Sequence, residues 1–172
     1  MTSQIRVDSI VPTTGVPTGG GGGIVQVVQG TTQTSVSVQT KTFTDTTLEA
    51  TITPFSANHK ILVIVNQLYY QIYSSGSSIG GAIRVVRNPG SNIVYVPRED
   101  TGPREEFVST GAGPIQHMNT RTITFLDSPA TTSAITYKTQ GASYTTNTST
   151  TFQPAGTVNN PTSYITLMEV SA

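Results

Sequence analysis

The sequence has no cysteine, which excludes a disulfide framework, a thiolate metal centre and a thiol nucleophile together. Packing and hydrogen bonds have to hold the fold. Charge is scarce as well: Asp, Glu, Lys and Arg make up 10% of the 172 residues, nine of each sign, and the basic ones are scattered. An electrostatic grip on nucleic acid or anionic lipid needs clustered Lys and Arg, so neither partner is expected. Long apolar runs are also missing. The longest, Ile61 to Val65, falls far short of the ~20 residues that cross a bilayer. Met1 to Val11 has neither the basic start nor the apolar stretch of an export leader. These features predict a protein made soluble in the cell that produces it, without membrane insertion or conventional secretion.

What the chain does have is threonine, with serine, asparagine, glutamine and glycine supplying the rest of its polarity. The β-branched threonine side chain suits a pleated surface and disfavours a helix, and no segment keeps helical periodicity. The length fits one domain with an added tail, which buries roughly two-thirds of the unfolded chain's surface.

Three regions follow from the order of residues. Residues 1–18 contain Ile5, Arg6, Val7, Asp8, Ile10 and Val11, too few apolar neighbours for a core, and read as an extended docking peptide. Gly19 to Gly23 is a polyglycine linker with maximal backbone freedom. Residues 24–172 alternate short β-like runs with turn signals, the pattern of a sandwich or barrel. Expected strands are Ile24 to Val28, Val36 to Phe43, Leu48 to Thr53, Lys60 to Tyr73, Ala82 to Arg87, Asn92 to Val96, Thr120 to Leu126, Ala134 to Thr139 and Ser163 to Val170.

Leu48, Ala50 and Ile52 alternate with Thr47, Glu49 and Thr51, so that strand buries one face and wets the other. Lys60 to Tyr73 is apolar on both parities, and Ser163 to Val170 shares the habit. A strand that wants cover on both sides of a two-layer sandwich finds the second cover most economically in another copy of itself. Ile61, Val63, Val65, Tyr69, Ile165 and Leu167 are therefore expected at a subunit interface. The longest irregular stretch, Pro97 to Asn119, holds much of the charge. Its residues Arg98, Asp100, Arg104, Glu105 and Phe107 are the first candidates for an exposed contact loop. The polar run Ser143 to Asn160 is the second.

Two stretches carry a family resemblance: the opening Ile-Arg-Val-Asp-Ser-Ile-Val-Pro…Thr-Gly, and the later Phe-Leu-Asp-Ser-Pro-Ala-Thr-Thr-Ser-Ala-Ile-Thr-Tyr-Lys with the ending Ser-Tyr-Ile-Thr-Leu-Met-Glu-Val. They resemble tail-fibre and head-fibre proteins of tailed bacteriophages, notably those of marine bacteria and cyanobacteria. The resemblance implies an all-β, jelly-roll-like antiparallel sandwich that trimerises as a tumour-necrosis-factor-like knob. It also implies an N-terminal peptide that anchors a homotrimer to other virion proteins of the tail, baseplate or capsid. The expected place is the virion, after assembly in the host cytoplasm, and the expected role is attachment, with a host-surface glycan as ligand. The rival role is a head fibre, cement or baseplate component that binds no receptor.

Sharper motifs have plainer readings. Asp100-Thr101-Gly102 spells the aspartic-protease triplet, but its charged, proline-flanked setting reads as a solvated turn. His59 and His117 are the only histidines, and with no cysteine they do not make a metal site alone; a structural or exposed role is expected for both. The glycine run lacks the Lys and Ser or Thr of a phosphate-binding loop. Asn147-Thr148-Ser149 matches a glycosylation acceptor that a chain without an export signal does not present. Tyr69, Tyr70, Tyr73 and Tyr95 read as core or interface residues ahead of a sugar platform. Paired carboxylates in a groove, which polysaccharide hydrolysis needs, are not evident, so no catalysis and no cofactor are expected.

Overall fold

The computed structural model describes residues 23–73, 78–97, 106–109, 115–156 and 160–171. Among them there are only strands and turns: β1 (Ile24–Thr32), β2 (Val36–Val38), β3 (Thr44–Ile52), β4 (Lys60–Tyr73), β5 (Ser78–Asn88), β6 (Asn92–Tyr95), β7 (Glu106–Ser109), β8 (Ile115–Asp127), β9 (Ile135–Ser143), β10 (Ser149–Phe152) and β11 (Ser163–Val170). All pairings are antiparallel, and the strands form two sheets packed as a sandwich.

In the first sheet β4 is the spine. One edge of β4 pairs with β8 along its whole length. The other edge pairs with β11 from Lys60 to Asn66 and with β10 from Tyr69 to Ile72. β1 continues the sheet beyond β11, and β2 continues it beyond β10. Where β4 changes partner, its backbone loses the ladder, and a buried backbone polar group has to be paired. Ser163 and Gln153 do this: the Leu68 amide donates to Ser163 Oγ at 3.0 Å, and Leu68 O accepts from the Gln153 amide at 3.0 Å. The second sheet runs β3-β9-β5, with β6 and β7 sharing the far edge of β5.

The interior divides into two chemical halves. One is apolar, built from Leu48, Ile52, Ile61, Val63, Val65, Val85, Ile123, Ile135, Tyr137, Ile165 and Leu167. The other is polar, with Thr46, Gln67, Gln71, Thr139, Ser143, Thr150 and Gln153 all buried. Short hydroxyl-bearing side chains let it pack, because they pair among themselves and with main chain. Gln67 Nε2 donates to Thr46 Oγ1 at 2.7 Å, and Ser143 Oγ donates to Val38 O at 2.7 Å. A chain only 35% apolar thus fills a sandwich by giving part of it to polar groups whose hydroxyls are paired, while the Gln71 side-chain amide stays unpaired among the described residues.

Three readings of the sequence are corrected here. The stretch Pro97 to Asn119 is not one irregular loop, since β7 and the first residues of β8 fall inside it. The polar run Ser143 to Asn160 is not a loop either. It contains β10, and Ser143, Thr148, Thr150 and Gln153 are buried in it. The expected strand Val36 to Phe43 ends at Val38.

Candidate interaction surface

β4 places alternate side chains on opposite sides of the first sheet. The inward parity is Ile61, Val63, Val65, Gln67, Tyr69 and Gln71, all buried. On β11 the inward residues include Ile165 and Leu167, both fully buried. The six residues expected at a subunit interface, Ile61, Val63, Val65, Tyr69, Ile165 and Leu167, are therefore the core of a single chain. Facing the second sheet already covers them, and no partner can reach them. Apolar counts on the two parities are too even to say which one faces in.

The outward parity is the one left uncovered. Across four strands, Val27 stands beside Met168, Met168 beside Leu62, and Leu62 beside Leu126. Val27 and Leu126 are more than half exposed. The next row is Gln29, Thr166, Ile64 and Thr124, followed by Thr31, Tyr164, Asn66 and Thr122. Further along β4, Tyr70 pairs with Met118 and Ile72 with Gln116; Met118 is 59% exposed. A groove lined by Leu68, Met118, Pro154, Ala155 and Pro161 continues the surface. None of the residues in these rows is Asp, Glu, Lys or Arg.

The outer face of the second sheet contrasts with this. Lys138 Nζ donates to Asp45 Oδ2 at 2.6 Å, Gln140 Nε2 to Asp45 Oδ1 at 2.6 Å, and Arg84 Nε to Gln140 Oε1 at 2.8 Å. The Arg84 guanidinium lies 4.4 Å over the Phe43 ring, a cation–π contact. Burial pushes the Asp45 carboxyl up, but hydrogen bonds from Lys138 and Gln140 pull it below the usual carboxylate range. The molecule thus has one ionic, solvated face and one half-apolar face whose central rows carry no charge, with the exposed Lys60 at their edge beside Val170.

The remaining candidates are placed as follows. Ile5, Arg6, Val7, Asp8, Ile10 and Val11 lie outside the described residues, as do Arg98, Asp100, Arg104, Glu105 and the Asp-Thr-Gly triplet. Phe107 lies on β7, and its side chain is not among those described. Tyr69 points inward, its ring 6.2 Å from that of His117, and Tyr70 points outward, so neighbouring tyrosines do not form one platform. Tyr95 stacks on Phe125 at 6.0 Å. His59 Nδ1 lies 2.7 Å from the carboxylate of the fully buried Glu169. Among the described residues no three His, Asp or Glu side chains converge as a metal site would require. No family model matches the chain, and no curated protein is recognisably similar to it in sequence.

Proposed function

We propose that this chain is a virion fibre protein: a homotrimeric knob that attaches to a particle through the residues preceding β1 and engages a host-surface ligand, a glycan, at its exposed loops. The observation that carries this reading is the outer face of the first sheet. Monomeric soluble proteins rarely leave a broad apolar surface uncovered, and such a surface marks an interaction site. The rows at its centre carry no charge for an oppositely charged partner to recognise, Lys60 standing at their edge, whereas a second copy presents the same uncharged rows and buries no unpaired charge among them. The fibre assignment rests on the sequence resemblance to phage fibre proteins together with the all-β sandwich. Three weak sites on one trimer would act together, gaining avidity from shared attachment.

The test has two arms. Light scattering of the purified full chain is expected to give three times the chain mass. Particles of the phage that encodes the sequence, labelled with antibody against the chain, are expected to carry the label, and purified chain is expected to block their adsorption to host cells. A monomer in solution, or unlabelled particles, rejects the reading.

A further inference from the structure

Glu169 is the one acidic side chain with no solvent exposure among the described residues, and its contacts join three parts of the chain. From β1, Gln26 Nε2 donates to Oε2 at 2.5 Å. From the turn between β3 and β4, the Phe55 amide donates to Oε1 at 2.8 Å, and His59 Nδ1 lies 2.7 Å from the same oxygen. An ionised carboxylate only accepts, so Nδ1 carries the hydrogen. Gln26 Nε2 also reaches Thr53 O at 2.8 Å. This is where β1 is least secured by its ladder: its register with β11 shifts between Ile24 and Gln26, and its outer edge pairs with no other strand among the described residues.

We infer that Glu169 is an acid-sensitive latch that clamps the start of β1, and with it the entry of the N-terminal segment, to the end of the sandwich. One carboxylate holds three donors only while it is ionised. Protonation turns one oxygen into a donor and leaves a part-buried N–H facing it without an acceptor, which is costly. The charged and titratable surroundings are few. His59 is the titratable group in contact; from β4, Ile61 stands opposite Glu169 and is apolar; Lys60 is exposed; and Asp127, across β4, is engaged by Arg87 and Tyr137. Burial pushes the Glu169 carboxyl up, but the hydrogen bonds from Gln26, His59 and Phe55 bring it below the usual range. The sign follows: with the closed-state pKa depressed, the latch is fully held above the ordinary glutamate value of about 4.3 and is lost as pH falls through the closed-state value.

Hydrogen exchange of the full chain, referred to unstructured-peptide rates, tests this. Opening that takes up one proton grows about tenfold per pH unit in that window, so β1 amides are expected to lose protection at that slope while β9 amides keep theirs. Glu169→Gln is expected to lower β1 protection at least tenfold at neutral pH and to abolish the slope. Gln26→Leu, which leaves the carboxylate and the turn in place, is expected to lower β1 protection while the Phe55 amide stays protected. The inference is overturned if β1 and β9 lose protection together on acidification, or if both variants keep wild-type β1 protection at neutral pH.

Discussion

The Phe152 ring occupies the space that a side chain at position 141 would need: a Cβ on Gly141 would fall 2.1 Å from two ring carbons. Gly141 is on β9 in the second sheet and Phe152 on β10 in the first, so the contact spans the sandwich at a point of close approach. Gly141→Ala is expected to destabilise the fold by about 3 kcal/mol, the upper range of core overpacking. Adding Phe152→Leu should recover part of that loss by making room. Denaturant unfolding measures both, and a Gly141→Ala protein within about 0.5 kcal/mol of wild type would show that the sheets separate freely here.

The longest elements were legible because their composition leaves little choice. Lys60–Tyr73 and Ser163–Val170 come out with the bounds read from the sequence. Their orientation was not legible. Val63 and Leu62 are equally apolar, and the parity that turns inward also carries Gln67 and Gln71, which look like surface residues although both are buried, Gln67 donating to Thr46. β10 was hidden for the same reason. Ser-Thr-Thr-Phe reads as loop, yet Thr150 is buried against Ser143 Oγ at 2.9 Å, a partner that only the fold supplies.

The two faces of β4 separate folding from assembly. Val63→Asp places a carboxylate among Leu167, Phe125 and the rest of the core, where it has no partner. The cost is expected to be about 4 kcal/mol or more, with the circular-dichroism signature of an unfolded chain. Leu62→Asp on the adjacent outward position is expected to keep the β-sheet spectrum and shift the mass from oligomer to monomer. A folded, oligomeric Leu62→Asp protein would remove the outer face of the first sheet from the assembly.

Ser163 is expected to matter beyond its size, because its hydroxyl serves two groups at the point where β4 exchanges one neighbour for another. It accepts from the Leu68 amide and from Gln153 Nε2, each at 3.0 Å. Ser163→Ala leaves a backbone amide and a buried side-chain amide unpaired, for an expected loss of about 2 kcal/mol. The Leu68 amide should also exchange with solvent faster than its neighbours in β4. If stability and exchange both match wild type, some other group must be satisfying that amide.

Tyr137 closes the apolar half of the sandwich, and its hydroxyl donates to Asp127 Oδ2 at 2.6 Å. Arg87 on β5 pairs with the same oxygen, so one carboxylate on β8 ties together β9 and β5 in the opposite sheet. Burial is the main cause that pushes the Tyr137 phenol far above the tyrosine range, and the hydrogen bond to Asp127 adds to it, with Arg87 opposing. The pair therefore contributes stability that is fully present below the ordinary tyrosine value of about 10 and is lost as pH rises through the folded-state value. Absorbance titration of the folded protein is expected to leave one of its seven tyrosines un-ionised until alkaline unfolding exposes it. Tyr137→Phe should remove that late-ionising group, cost about 1 kcal/mol at neutral pH and flatten the alkaline fall in stability. Ionisation of all seven tyrosines near pH 10 with the fold intact would mean that Tyr137 is neither buried nor bonded in this way.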